Sequence, residues 1–179
     1  MSGEKKIILG IDPGLDRTGW SVLWGSGGRQ EILRYGLIHT EAGTPLPERL
    51  EKIFDELTSV IEENRPEEAA VEEVFFSKRA GTQASTTHAR GVILLALRKK
   101  GVKIYPYNPR AVKQNLTGNG NADKKQMERM VQLAFSLKKP IKPDDISDSI
   151  AIAVCHLRTG KFNEAVKKAL GQKVRTLGI

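Results

Sequence analysis

The chain is poor in the residues from which disulfides and zinc sites are commonly built. Its 179 residues include one cysteine, Cys155, which excludes a disulfide within the chain and a zinc site made of several cysteines. The three histidines, His39, His88 and His156, do not have the spacing of a zinc site. Zinc sites of these kinds are therefore excluded, whereas carboxylates remain available as metal ligands.

Long apolar runs are also missing. No stretch approaches the roughly 20 apolar residues that a membrane-spanning helix needs, and the first six residues lack the apolar segment of a signal peptide. We see no internal repeat and no linker between domains. The sequence therefore predicts a cytoplasmic protein without a membrane partner. We expect one domain over residues 1–160 and a basic C-terminal tail over 161–179, whose order the sequence leaves open.

Acidic side chains are scarce in one long segment. Between residues 98 and 142, twelve Lys or Arg are opposed only by Asp123 and Glu128. The whole chain has 29 Lys and Arg against 21 Asp and Glu, which gives a net charge of +8. A basic surface of this kind attracts phosphate backbones, although it also suits membranes and acidic partners. Nucleic acid is thus one of the partners that the charge predicts.

Apolar patterning predicts five strands and five helices. We expect strands over 5–12, 20–24, 31–39, 68–74 and 102–107, and helices over 45–64, 82–100, 109–116, 122–137 and 144–158. Three hairpin-joined strands followed by strand–helix crossovers predict an α/β fold, with a five-stranded mixed sheet that has helices on both faces. The first and fourth strands should be parallel neighbours near the centre of the sheet.

Four carboxylates stand at the ends of elements that are expected to be buried. Asp12 ends the first strand in front of Pro13-Gly14, and Glu72 lies in the fourth strand after an apolar run. Asp145 and Asp148 are three residues apart and so share one face of the last helix. Because the carboxyl ends of parallel strands meet at one crevice, we expect the four acids to converge there. Clustered carboxylates need cations, and a pair of Mg²⁺ ions held by such oxygens would support displacement at phosphorus.

Each acid also has a purely structural explanation. Asp12 could form a turn before Pro-Gly, and Glu72 could solvate the edge of a strand. The alternation of a strand does not choose between Glu72 and Glu73. The two acids of the last helix could interact with its dipole, a role for which Asp144 is better placed. The occurrence of all four acids in this strand order is more specific than any one of them.

Four segments resemble the RuvC family of bacterial Holliday-junction resolvases, which have a ribonuclease-H-like fold. The segments are ILGIDPG (8–14) with Thr18-Gly19, VEEVF (71–75), ARG (89–91) and DISDSIAIA (145–153). The resemblance extends from about residue 7 to residue 156, nearly the whole domain. It implies an endonuclease that resolves four-way DNA junctions by metal-dependent, paired phosphodiester hydrolysis in recombination and repair.

The resemblance also implies roles for individual residues. The implied catalytic and metal-binding residues are Asp12, Glu72, Asp145 and Asp148, with two ions of Mg²⁺, or of Mn²⁺, per site. It thereby selects Glu72 over Glu73 and Asp145 over Asp144. The implied DNA-binding residues are Phe75, Arg90, Lys113 and Lys124. Phe75 would stack on an unpaired base but could instead be core, and the lysines could belong to a solvated surface.

The family acts as a homodimer, so the resemblance implies a second copy of this chain as a partner. Two cuts placed symmetrically need two sites related by a two-fold axis. The helix predicted over 82–100 matches the family's dimer helix, although its apolar residues Val92, Leu95 and Ala96 could equally be core. The branch-migration proteins RuvA and RuvB are the other implied partners.

Other functions fit parts of the pattern. The Asp12-Pro13-Gly14 motif with Gly19 is similar to the phosphate loop of sugar kinases and Hsp70-like ATPases, which need two such domains and a longer chain. A YqgF-like nuclease is a closer alternative. A junction-binding module without catalysis is another, but it would not need four convergent acids. Cleavage of a four-way junction, compared with a duplex, distinguishes these possibilities.

Overall fold

A computed structural model describes residues 6–26, 28–73 and 80–176, with the exception of the side chains of 80–83 and 161–176. In these ranges the strands are β1 (Lys6–Asp12), β2 (Arg17–Ser26), β3 (Arg29–His39), β4 (Glu68–Glu72) and β5 (Lys103–Tyr107). The helices are α1 (Leu46–Asn64), α2 (Ala80–Lys99), α3 (Pro109–Thr117), α4 (Lys124–Phe135) and α5 (Asp144–Thr176). The predicted order of strands and helices is confirmed.

The five strands form one mixed sheet in the order β3-β2-β1-β4-β5. β1 is antiparallel to β2, and β2 is antiparallel to β3, whereas β1 with β4 and β4 with β5 are parallel. Ile11 of β1 is paired with Val71 of β4. Asp12 and Glu72, which follow this pair, therefore end two adjacent strands at the same edge of the sheet.

Helices cover both faces of the sheet, as the pattern predicts. On one face, Ile53 of α1 and Ile93 of α2 pack in a cluster with Leu9 of β1. On the other face, α3, α4 and α5 form a second cluster in which Ile150 of α5 lies with Ile8 of β1. Because successive residues of a strand point to opposite faces, β1 contributes alternately to the two clusters.

Polar caps determine where the shorter helices begin. The Asp123 side chain accepts a hydrogen bond from Gln126 N, and Gln126 Oε1 accepts one from Asp123 N, so this capping box starts α4 at Lys124. The predicted start at residue 122 was wrong because it ignored this cap. Asn108 caps α3 by accepting from Arg110 N, and Gly118 ends α3 in the left-handed conformation at φ 79°.

The last helix is longer than the sequence suggests. We expected it to end at residue 158, before Gly160, but α5 continues to Thr176. A glycine inside a helix costs only about 1 kcal/mol relative to alanine, so it does not have to end one. The division at residue 160 into a domain and a tail stays a prediction. Although α5 has 33 residues, neither it nor another helix in the described ranges has an apolar stretch that could cross a membrane.

Two glycines allow α5 to lie directly on the sheet. A Cβ atom at Gly10 of β1 would overlap the carbonyl oxygen of Ser149, and a Cβ atom at Gly19 of β2 would overlap that of Asp145. Both obstacles belong to the α5 backbone, which cannot turn aside as a side chain could. The first turns of α5 can therefore lie beside the ends of β1 and β2 only because these positions lack side chains.

We expect Gly19→Ala to lower the free energy of unfolding by about 1–3 kcal/mol, because the added methyl group must push α5 away from β2. Urea unfolding followed by circular dichroism measures this difference. Gly43→Ala is the matched control, since a Cβ atom at Gly43 has no neighbour within 4 Å. Equal stability of the two variants would contradict the close approach of α5.

Candidate active site

The strand pattern turns Asp12 and Glu72 to the same face of the sheet. Ile8 and Ala70 pack in the cluster on the α5 side, while Ile11 and Val71 pack on the opposite side. Alternation along β1 and β4 therefore points Asp12 and Glu72 towards α5. Glu73 lies beyond the end of β4, and its charge is not among those that shift the pKa of Asp12 or Glu72. This choice between the two glutamates depends on which face α5 covers, which the sequence alone does not state.

The structure brings Asp12 together with the other three acids. Burial raises the pKa of Asp12 well above its usual value, and the negative charges of Glu72, Asp148 and Asp145 raise it further. Asp12 and Glu72 also share a hydrogen bond. Such surroundings favour the protonated form of a carboxyl group, and a nearby cation favours the ionised form.

The same surroundings raise the pKa values of Glu72 and Asp148. Burial and the charge of Asp148 raise the pKa of Glu72 to about 7, although Lys113 acts in the opposite direction. Burial raises the pKa of Asp148 to about 6, against the effect of Lys124. The nearby lysines thus offset only part of the cost of placing these acids together.

Asp145 has a cationic neighbour that the sequence analysis missed. Arg17 Nε, at the start of β2, lies 3.1 Å from Asp145 Oδ2. This oxygen is buried and has no hydrogen bond of good geometry within the described residues. The sequence signal was weak, since Arg17 lies only five residues after Asp12 but nothing local indicates that the start of β2 faces the start of α5.

Asp144 has a different environment from its neighbour Asp145. Asp144 forms an ion pair with Lys124, and the hydrogen bond between these two side chains lowers the pKa of Asp144. Its charge acts on Asp148 but is not among those that shift Asp12. Asp144 therefore lies at the margin of the cluster, while Asp145 belongs to it.

The predicted DNA-binding residues differ in position. Lys113 and Lys124 line a cleft of about 210 Å³ together with Glu72 and Asp148, which we call the lysine cleft. Arg90 Nε donates a hydrogen bond to the Glu72 carbonyl oxygen at 3.1 Å, so it holds the end of β4. Phe75 lies outside the described residues.

Buried polar contacts fix the loop that follows Asp12. Arg49 of α1 donates from Nε to Thr40 Oγ1 at 2.8 Å and forms an ion pair with Asp16. Thr40 Oγ1 in turn donates to the Leu15 carbonyl oxygen at 2.6 Å. Arg49 and Thr40 are both buried. The loop between β1 and β2 is therefore attached to α1, which limits the movement of Asp12 and Arg17 on either side of it.

The donor atoms of the cluster suit a hard divalent cation, which prefers carboxylate oxygens. The pKa values of Asp12, Glu72 and Asp148 are raised by burial first and by neighbouring carboxylates second, and a bound cation would counter both effects. As the side chains stand, no three His, Cys, Asp or Glu residues in the described ranges are arranged to hold a metal ion. The residue types and charges fit a divalent ion, and binding one requires the carboxylates to turn towards it.

Comparisons with known proteins agree with this arrangement. The family model of crossover junction endodeoxyribonuclease RuvC matches residues 8–156. The protein of that name from Brevibacillus brevis is 44% identical over 164 residues, which cover 90% of this chain and 99% of the relative. The one from Chloroflexus aggregans is 46% identical over 151 residues, which cover 84% of this chain and 92% of the relative.

A solved structure of T. thermophilus RuvC in complex with a Holliday junction substrate is also similar. Its TM-score is 0.83 at 32% identity, and the match covers 88% of this chain and 96% of that chain. The predicted ribonuclease-H-like fold is confirmed by this likeness. Nucleases of this kind depend on a divalent metal ion. On the match over residues 8–156 and on these relatives, the chain belongs to the RuvC family of crossover junction endodeoxyribonucleases.

Proposed function

We propose that this chain resolves four-way DNA junctions by hydrolysing one phosphodiester bond at each of two symmetric sites. In this proposal two Mg²⁺ ions, or two Mn²⁺ ions, are held at each site by Asp12, Glu72, Asp145 and Asp148. The observation that carries the proposal is geometric: Asp12 and Glu72 end two adjacent parallel strands, and the first turn of α5 lies against the sheet beside them. The charges of Glu72, Asp148 and Asp145 accordingly act on Asp12. The Holliday junction in the similar T. thermophilus complex supports the choice of substrate.

In the proposed reaction, the acids would hold the metal ions and the lysines would contact the phosphate. Bound divalent ions supply positive charge that polarises the scissile phosphate and eases deprotonation of the attacking water. Asp12, at the end of the central strand β1, would hold the ions, with Glu72 beside it on β4. Lys113 and Lys124, in the lysine cleft, would contact phosphate oxygens and stabilise the charge that develops on them.

Two further DNA contacts remain part of the proposal. Arg90 would approach the DNA backbone while its Nε keeps the Glu72 carbonyl oxygen in place. Phe75 would stack on an unpaired base near the crossover, where stacking contributes about 1–3 kcal/mol per base. Substituting either residue by alanine and measuring junction affinity tests these contacts.

Paired cuts require two active sites, so we include a homodimer in the proposal. The α2 surface supports it, because the Leu95 side chain is 54% exposed there while Ala96 is buried in the core. RuvA and RuvB are proposed as further partners on the basis of the family alone. Co-purification of the three proteins on an immobilised junction, compared with a duplex, tests this partnership.

Replacing the central acids should remove cleavage but not binding. We expect Asp12→Asn and Glu72→Gln each to reduce the cleavage rate of a synthetic junction by at least about 100-fold, since each variant loses an anionic metal ligand. Junction affinity in EDTA should stay close to that of the wild type. Glu73→Gln is the control, because the charge of the adjacent Glu73 is not among those that shift the pKa of Asp12 or Glu72. Its rate should change less than about twofold.

The same assay decides between the alternatives. A wild-type protein that binds the junction but does not cut it with Mg²⁺ or Mn²⁺ would be a binding module. Equal cutting of duplex and junction would indicate a general nuclease. Loss of both binding and cleavage in Asp12→Asn would assign Asp12 a structural role.

The raised pKa values predict how pH changes stability without metal. Between the usual carboxyl pKa and the raised values of about 7 for Glu72 and about 6 for Asp148, the folded chain holds protons that the unfolded chain has released. Stability from these groups therefore falls as pH rises through this window. In EDTA, we expect the Tm of the wild type to fall more than that of Asp12→Asn between about pH 5.5 and about pH 8.

Mg²⁺ should reverse this loss, because a bound cation favours the ionised carboxylates. Its stabilisation of the wild type should therefore be larger at the higher pH. Differential scanning calorimetry with EDTA or with Mg²⁺ measures both effects. An identical pH dependence in the wild type and in Asp12→Asn would show that the acids do not interact as described.

The dimer has its own test. Leu95→Glu should leave a monomer at micromolar concentration, because the new charge would be buried between two α2 helices without a partner. Leu133→Glu is the control, since Leu133 is 64% exposed on α4, away from the proposed interface. Sedimentation velocity measures the oligomeric state. A wild type that is monomeric, or a Leu95→Glu variant that stays dimeric, would reject this interface.

A further inference from the structure

A second cleft lies on the Asp145 side of the acids. It has a volume of about 550 Å³ and shares no described lining residue with the lysine cleft. Its walls come from the loop after β1, the ends of β2 and β3, and α2. The lining residues are Gly14, Leu15, Asp16, Arg17, His39, Ser85, Thr86 and Asp145. Two separate clefts therefore border the acid cluster, one at Glu72 and Asp148 and the other at Asp145.

Most charged groups of this second cleft are already engaged. Asp16 is paired with Arg49. His39 has Nδ1 at 3.0 Å from the Asp16 carbonyl oxygen and Nε2 at 3.1 Å from Glu41 Oε1. Among the described lining residues, this leaves Arg17 as the cation able to meet an anion in the cleft.

Arg17 is placed to make two contacts at once. Its Nε faces Asp145 Oδ2 at 3.1 Å, yet the side chain is 49% exposed. A guanidinium group is planar and carries five N–H donors in a fixed arrangement, so its terminal nitrogens can donate to a phosphate while Nε stays on the carboxylate. A lysine ammonium group is a single point of charge and lacks this geometry.

We propose that Arg17 is a positioning residue that connects the DNA phosphate next to the cut to Asp145. A strand with its scissile phosphate over the four acids must extend beyond them on both sides. The lysine cleft receives it at Glu72 and Asp148, and the second cleft receives the adjacent phosphate at Arg17 and Asp145. Binding of that phosphate then holds the guanidinium, and through it the Asp145 carboxylate, in place. This inference rests on the proposed nuclease function and adds a residue to it.

Two substitutions separate the charge of Arg17 from its geometry. Arg17→Ala should weaken junction binding in EDTA by about tenfold and reduce the slope of log affinity against log salt by about one for each Arg17 that contacts a phosphate. Arg17→Lys should keep the affinity and the salt slope, because it keeps the charge. Its single-turnover cleavage rate at saturating protein should still fall by at least about tenfold, because lysine cannot hold phosphate and Asp145 together.

Arg34→Ala is the matched control, since Arg34 is an exposed arginine paired with Glu63 away from both clefts. It should change affinity and cleavage by less than about twofold. Arg17→Ala with the affinity and salt slope of this control would overturn the phosphate contact. Arg17→Lys that cleaves like the wild type would overturn the positioning of Asp145. Wild-type cleavage is scored separately, so failure of the proposed function is distinguished from failure of this inference.

Discussion

The close contact between α5 and the backbone of the sheet is the constraint on which the rest of the site depends. Two of the four acids belong to strands and two to α5, so they meet only if the helix lies against the ends of β1 and β2. Gly10 and Gly19 make this possible, because any side chain there would overlap the α5 backbone. The motif that supplies Asp12 therefore also supplies the space into which Asp145 and Asp148 are brought.

The packing of α5 against the sheet brings four carboxylates together, and the fold accommodates their repulsion. The raised pKa values of Asp12, Glu72 and Asp148 express the repulsion and the loss of water around the acids. Apolar clusters on both faces of the sheet stabilise the structure that holds them. Functional sites commonly carry such strained arrangements, and here the strain is electrostatic, so a cation can relieve it without a change of fold.

Sequence patterns were sufficient to predict the strands and helices and their order, because these depend on local periodicity and turn residues. The convergence of the acids followed from the strand order. Long-range proximity was harder to predict: the sequence does not show that Arg17 faces Asp145 or that Arg90 donates to the Glu72 carbonyl oxygen. The helix end expected near Gly160 was wrong, because one local breaker signal does not decide the extent of a helix.

The distribution of charge around the acids suits a phosphate strand better than a single small anion. A net charge of +8 attracts DNA over a distance, but it cannot by itself seat a phosphate against four carboxylates. In the proposed function, cations in the two clefts that border the cluster would do so by holding the neighbouring phosphates, which would leave the middle phosphate facing the acids. Lys113 and Lys124 each carry a point charge on a long side chain, and Lys124 is also paired with Asp144. Such charges suit a phosphate whose charge changes during reaction. Arg17 is directional and already faces Asp145, which suits a phosphate that must stay still.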